Sequence, residues 1–183
     1  MQTLGKTPWK CGPPGSLSST LAGGFVAGIA SAVVLIFCRI ALDLGGATVL
    51  ARLLPWHAPA SELVPKVLWG SVKLAAHPFV GDRVYEHGFD APVVWIAVVT
   101  LLVYSIIMGV LFALIVRGRS RKATCAVAIP FGLGAWVLGT LLLHSSPATV
   151  VEALPSGLAM AFVFLWFERR LAFRIQHRPL KPA

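Results

Sequence analysis

The sequence predicts an all-helical (all-α) integral membrane protein: a four-helix bundle with an amphipathic helix in its long outer loop, built as a single membrane domain over residues 1–183. Three observations support this prediction. Hydrophobic residues make up 57% of the chain and charged residues 13%, whereas soluble domains average about 45–50% and about 25%. The apolar residues form four long runs. The basic residues lie mostly in short segments that flank those runs.

Each of the four runs is long enough to cross a hydrocarbon core of about 30 Å, which takes about 20 helical residues. The predicted spans cover residues 21–42, 91–116, 123–143 and 147–167, and the second and third contain no charged residue. Backbone N–H and C=O groups in lipid must be hydrogen-bonded within the protein, so we expect each span to be a helix.

The basic segments predict the orientation of the spans. Eleven of the 16 lysines and arginines lie in three segments: two before the first span, four between the second and third, and five in the tail of residues 168–183. With four spans, all three segments fall on one side of the membrane. The positive-inside rule places that side in the cytoplasm. We therefore expect both termini and the basic tail to lie in the cytoplasm.

The outer loop of residues 43–90 is expected to contain a helix over residues 62–76. On a helical wheel its leucines and valines cover one half, and Glu62, Lys66 and Lys73 cluster on the other. Glu62 precedes Lys66 by four residues, the favourable order for a helical ion pair. Such a helix either lies on the outer membrane surface or caps the bundle.

Small residues four apart predict how the helices pack. Lipid tails are as apolar as leucine, so membrane helices associate where small residues let their backbones approach. The same faces could equally form a homodimer. The predicted packing residues are Gly24, Gly28, Ala32, Ser105, Gly109, Ala113, Ala135, Gly139, Gly157 and Ala161.

Arg39, Asp43 and Glu152 are the candidate site residues. Charged side chains within membrane spans are costly and usually face the bundle interior in pairs. Arg39 and Glu152 lie at similar predicted depths near the outer ends of spans one and four. Arg39 can pair with Asp43 one turn away or with Glu152 across helices. The group is either a structural ion pair or a site for a ligand or a proton.

Other kinds of function find no support in the sequence. The basic residues flank apolar runs instead of forming the polar face typical of a nucleic-acid-binding domain, so no nucleic acid is expected as a partner. The histidines and carboxylates of the outer loop lack a metal-ligand spacing, and no catalytic motif occurs. We therefore expect no catalytic residue, no metal and no cofactor.

The layout resembles a group of small four-helix bacterial inner-membrane proteins of unknown function that includes the YagU-like family. Three stretches carry the resemblance: the glycine-rich residues 23–28, the region from Ser105 to Gly109 that leads through the basic turn to residues 132–139, and the charged exit at residues 166–170. The resemblance implies a fold and a membrane location, and it implies no mechanism.

The functional expectation follows from these points. The chain is expected to be a multi-pass, non-enzymatic protein embedded in the lipid bilayer, acting through contacts between helices or with a partner. That partner would be a second copy or another membrane protein. The alternative is a small oligomeric transporter or channel that uses the Arg39/Glu152 region. An enzyme that acts on lipid is a third hypothesis, for which no motif is present.

Overall fold

The computed structural model describes residues 16–53, 69–86, 89–143, 150 and 152–176. These residues are almost entirely helical, and no strand occurs among them. The all-helical class is therefore confirmed for the described part of the chain. The long helices are α1 (Leu17–Leu53), α2 (Ala91–Val116), α3 (Arg121–Leu143) and α4 (Ala153–Gln176).

Three of the long helices are long and apolar enough to cross a membrane: α1 over Leu17–Gly46, all of α2 and all of α3. These helices indicate a membrane location. Helix α4 starts at Ala153, whereas residues 147–149 and 151 of the fourth predicted span lie outside the described residues. Only residues 153–167 of α4 precede the charged Glu168, which is about 22 Å of helix. By length and composition α4 does not count as a fourth span among the described helices, and the number of crossings stays a prediction.

Helix α1 continues well past residue 42, where the sequence placed the end of the first span. It reaches Leu53 and contains 37 residues, which corresponds to about 55 Å. A bilayer core of about 30 Å cannot contain all of it. The chain from Asp43 to Leu53 is therefore helix, and the predicted outer loop does not begin at residue 43.

Close backbone contact joins α1 to α2, as the small residues of these helices suggest. A Cβ atom added to Gly28 would lie 2.6 Å from the carbonyl oxygen of Ser105. Gly109 faces Gly24 and Gly28 from α2 at similarly short range. Because these neighbours are backbone atoms, no larger side chain fits unless the helices separate.

A second close contact joins α3 to α4. A Cβ atom on Gly157 would lie 2.7 Å from the carbonyl oxygen of Ala128 and 3.2 Å from the Cα of Gly132. Gly132 was not among the predicted packing residues. Gly139 was, and a Cβ there would lie in ordinary van der Waals contact with the Tyr104 side chain of α2, 3.5 Å from its hydroxyl oxygen. The approach at Gly139 is therefore looser than the approaches at Gly28 and Gly157, where backbone atoms are the nearest neighbours.

These contacts set the directions of the helices. The start of α1 lies beside the ends of α2 and α4, and α3 runs antiparallel to α4. The turn between α2 and α3 and the end of α4 therefore share one end of the bundle. We call it the basic end, because its exposed side chains include Arg117, Arg119, Arg121, Lys122, Arg169 and Arg170. Lys6, Lys10, Arg178 and Lys181 lie outside the described residues.

The opposite end of the bundle is covered by a capping segment of short helices. It comprises Gly70–Lys73, Leu74–Ala76, His77–Val80 and Gly81–Tyr85. Val72, Ala75 and Ala76 are fully buried in a cluster with residues of α2 and α3. This part of the outer loop thus caps the bundle.

The predicted amphipathic helix does not continue as one regular helix to residue 76. Trp69 has a backbone φ of 76°, which interrupts any helix that reaches it. Lys73 was assigned to a polar face, yet it is 2% exposed, and its ammonium donates a hydrogen bond to the Glu86 carbonyl at 2.5 Å. Residues 54–68, which hold Glu62 and Lys66, lie outside the described residues.

Two apolar clusters fill the bundle. Toward the basic end, Phe112 packs edge-on against Phe131 and Phe164, with ring centroids 5.2 Å and 6.2 Å apart. Toward the capping segment, the second cluster gathers around Val93, Leu101 and the buried residues of that segment. The candidate site lies beside the second cluster, because Arg39 contacts Ser71 of the capping segment.

Candidate functional site

Arg39 and Glu152 form a buried ion pair between α1 and the start of α4. The Arg39 Nε donates a hydrogen bond to the Glu152 Oε2 at 3.0 Å. The two side chains are only 4% and 3% exposed. Glu152 directly precedes α4, so its carboxylate lies near the positive end of that helix's dipole. Glu152 itself belongs to a 3₁₀ turn that leads into α4.

Ser71 of the capping segment binds Arg39 and Asp43 of α1. The Arg39 Nη1 donates to the Ser71 carbonyl oxygen at 3.0 Å. Asp43 accepts a hydrogen bond from the Ser71 backbone N–H at 3.1 Å and a second, short one from the Ser71 hydroxyl. The sequence left two partners open for Arg39. In the structure Arg39 contacts Glu152 directly, whereas the Asp43 carboxylate accepts hydrogen bonds from Ser71.

A cavity lies beside the ion pair and is lined by residues from all four long helices. It offers about 40 Å³ to the centres of water-sized molecules. One water requires about 10–15 Å³ on this measure, so the cavity has room for a few waters or one small molecule. Most of its lining is apolar, including Leu35, Leu101, Met108, Phe131 and Trp136.

Tyr104 lines the cavity at the place where α2 faces α3. These two helices contact each other little, although a tight turn connects them. The Tyr104 hydroxyl donates a short hydrogen bond to the carbonyl oxygen of Ala135. A carbonyl inside a helix can accept this additional bond through its second lone pair, so Tyr104 bridges the two helices without breaking α3.

The second carboxylate oxygen of Glu152 is the unusual atom of the site. Oε1 is buried and has no hydrogen-bond partner among the described residues. Buried polar atoms are nearly always hydrogen-bonded, and an exception calls for an explanation such as a bound molecule. Glu152 also lines the cavity, so a molecule in the cavity contacts the side chain that carries this oxygen.

Two features of the site escaped sequence reasoning. Ser71 contacts Asp43 across 28 positions of sequence, and no local pattern reveals such a contact. Tyr104 did carry a signal, because a tyrosine within a membrane helix usually needs a partner for its hydroxyl. In the described part of the chain, no group of three or more His, Cys, Asp or Glu residues could hold a metal ion. His57 and His87 lie outside that part.

Comparisons with known proteins returned no family model, no curated protein and no solved structure that matches the chain.

Proposed function

We propose that the chain is a multi-pass inner-membrane protein that crosses the bilayer four times, with both termini in the cytoplasm. In this proposal it carries out no catalysis, and it acts through contacts of its helices with other membrane proteins or with copies of itself. Two features together support the placement in a membrane. The helices have exposed apolar faces, and basic residues are exposed at one end of the bundle.

The apolar faces are long and regular. Val99, Val103, Ile107 and Leu111 form an exposed row along α2, and similar rows run along α1 and α4. Soluble monomers rarely expose contiguous apolar surfaces of this extent. Lipid covers such rows at no cost, and it leaves them available to a second membrane helix.

The basic end supports the orientation. The arginines and lysines of the α2–α3 turn are exposed at the same end as those that follow Trp166 in α4. The Arg170 guanidinium lies 4.9 Å from the centre of the Trp166 ring. An aromatic ring beside basic residues is typical of the membrane–water interface. The positive-inside rule then favours a cytoplasmic basic end.

Labelling of single cysteines tests the topology. Ser120 in the α2–α3 turn and Pro78 in the capping segment are both exposed. After Cys11, Cys38 and Cys125 are replaced by alanine, we expect an impermeant thiol reagent to label Pro78→Cys in intact cells. Ser120→Cys should react only after the membrane is opened. Labelling of both positions from outside would reject the four-span model.

The proposed contacts need their own measurement. The mass of the purified protein–detergent complex, determined by light scattering, separates a monomer from a homo-oligomer. Proteins that crosslink to the chain in native membranes would identify a different partner. A monomer that crosslinks to nothing in its native membrane would contradict a role that depends on helix contacts.

A second candidate is a small transporter or channel, and the buried carboxylate oxygen beside the cavity favours it. Four helices enclose little space, so a conducting pore would need several copies. This candidate predicts an oligomer in detergent together with a solute or proton flux in liposomes that Glu152→Gln changes. A monomer without flux would eliminate it.

A further inference from the structure

We propose that the cavity between the four long helices binds a small neutral molecule that has an apolar body and one hydrogen-bond-donating group, with that group on the Oε1 of Glu152. The hydroxyl of a short alcohol is the simplest group of this kind. The inference rests on the membrane placement proposed above, and it adds a ligand class that neither of the proposed roles specifies.

The buried oxygen defines the polar part of the ligand. Glu152 Oε2 already accepts from Arg39, whereas Oε1 is buried and has no partner among the described residues. A carboxylate oxygen can only accept hydrogen bonds. The ligand must therefore bring a donor to this position.

The charges of the lining define the ligand as neutral. Arg39 and Glu152 are the only charged residues among those that line the described cavity, and they are paired with each other. A cationic ligand would stand next to the Arg39 guanidinium, and an anionic ligand next to the Glu152 carboxylate. Either would bury a charge without compensation, which is strongly unfavourable.

The remaining lining defines the body of the ligand. Leu35, Met108, Phe131, Trp136 and Met160 surround the space, and they favour an apolar group. A space of about 40 Å³ for water-sized centres limits that group to a few non-hydrogen atoms. Water alone could also supply the donor, but it would leave the apolar walls without apolar contacts.

Tryptophan fluorescence can test the proposal, because Trp136 lines the cavity. In a variant that retains Trp136 and carries phenylalanine at the other five tryptophans, the full chain is placed in lipid nanodiscs. The probes are 2,2,2-trichloroethanol and 1,1,1-trichloroethane, which differ in the hydroxyl group and both quench indole fluorescence. A second variant that retains only Trp95, which is 68% exposed on the outer face of α2, reports collisions with probe dissolved in the lipid.

We expect trichloroethanol to quench Trp136 along a saturable curve and to quench Trp95 linearly. To quench Trp136 to the same extent, trichloroethane should need a concentration at least about tenfold higher than trichloroethanol. Both concentrations are expressed per lipid. This factor corresponds to the lower end of the contribution of a hydrogen bond to a charged acceptor. Equal saturable curves for both probes would overturn the proposal, since Oε1 would then play no part. Linear quenching by both would overturn it as well, because the cavity would then hold only water.

A matched pair of substitutions on α3 locates the binding. Gly139→Leu places a side chain against the cavity, since Gly139 lines it and a Cβ there lies 3.5 Å from the Tyr104 hydroxyl, which also lines it. Gly134→Leu makes the same change on the exposed face of α3, where a Cβ meets nothing within 4 Å. Gly139→Leu should abolish the saturable curve and Gly134→Leu should preserve it. The reverse pattern, or loss in both variants with the fold retained, would overturn the location.

The difference between the two probes decides the proposal even if Gly139→Leu does not fold, because it requires no substitution at the site. The result is also independent of the topology test. Cysteine labelling can reject the four-span model while Trp136 still binds the alcohol, and the alcohol can fail to bind in a chain whose topology is as proposed.

Discussion

Replacing Arg39 by methionine should destabilise the protein more than any other single removal of charge in the described part of the chain. The change deletes the 3.0 Å hydrogen bond to Glu152 and the 3.0 Å hydrogen bond to the Ser71 carbonyl. It leaves a carboxylate that is 3% exposed with neither oxygen paired to a guanidinium. Breaking a buried ion pair in this way costs about 3–5 kcal/mol in soluble proteins. We expect the lower part of that range, because water and lipid rearrangement relieve buried charge in membranes.

Glu152→Gln should cost less, about 1–3 kcal/mol. Glutamine retains a carbonyl oxygen that can accept from the Arg39 Nε, and the guanidinium keeps its bond to Ser71. The double variant should lose less free energy of unfolding than the sum of the losses in the two single variants. Either single change already breaks the ion pair, so the second change does not break it again.

The measurement is reversible unfolding in detergent, followed by circular dichroism, for the parent, the two single variants and the double variant. Arg83→Met is a matched control, because Arg83 also forms an ion pair, with Asp90 at 3.1 Å, but its side chain is 58% exposed. Exposed pairs contribute about 0–1 kcal/mol. The reasoning is refuted if Arg39→Met costs no more than Arg83→Met, or if the two single losses are strictly additive.

Exchanging the charges, with Arg39→Glu and Glu152→Arg together, should recover only part of the loss. The new carboxylate at position 39 would face the Ser71 carbonyl oxygen, which accepts a hydrogen bond from Arg39 in the structure. The new arginine would stand at the start of α4, where the helix dipole favours negative charge. Full recovery would show that neither the capping segment nor the helix dipole contributes to the pair.

Three further predictions follow from the packing. Gly109→Leu should lower the unfolding midpoint clearly, because backbone atoms of α1 occupy the space its side chain needs, and Gly134→Leu should leave the midpoint unchanged; equal midpoints would contradict the close approach. Asp43→Ala should speed amide hydrogen exchange across residues 70–85, since it removes the hydrogen bonds that the Ser71 N–H and hydroxyl donate to α1, and unchanged exchange would show that other contacts hold the segment. Tyr104→Phe should cost about 1 kcal/mol of unfolding free energy, the usual contribution of one hydrogen bond, and a neutral result would mean that the bridge between α2 and α3 contributes nothing.

The helices whose ends carry local signals were predicted well from the sequence. Helix α2 occupies residues 91–116 as predicted, because Asp90 caps its first turn by accepting from the Val93 N–H, and Pro92 is tolerated there. Gly118 follows its end with a φ of 73°, a conformation that favours glycine. Each of these signals lies within a few residues of the boundary that it sets.

The boundaries that were missed depend on residues far away in the sequence. The sequence predicts Asp43 to be the first residue of the outer loop, because a carboxylate is costly within an apolar span. In the structure Ser71 supplies a partner for this carboxylate from the capping segment, so the helix continues. Lys73 looked solvent-exposed by its place on the helical wheel, yet the Glu86 carbonyl accepts from it in the interior. Patterns along a single helix contain no information about such partners.

The candidate site was accessible to sequence reasoning only in part. Arg39 and Glu152 stand out because so few charges interrupt the apolar runs, and the cost of burying them suggests a pair. The cavity beside them was not predictable, since it depends on how Tyr104 and Gly139 face each other across α2 and α3. Gly139 illustrates the limit: its spacing from Ala135 indicates a helix contact, but it does not reveal that the neighbour is the Tyr104 side chain of α2.

The position of the ion pair between α1 and the start of α4 suggests what it contributes to the fold. A slide of α1 along α4 by one helical turn would displace the two helices by about 5.4 Å. A 3.0 Å bond between Arg39 and Glu152 cannot survive such a slide, so the pair fixes the register of α1 against α4. A neutral pair such as two glutamines could fix the same register at less cost of burial. Fixing the register of the helices does not require a carboxylate whose Oε1 has no partner among the described residues. Because proteins keep such unfavourable local features mainly at functional sites, this oxygen is the atom of the described bundle where a bound molecule should be sought first.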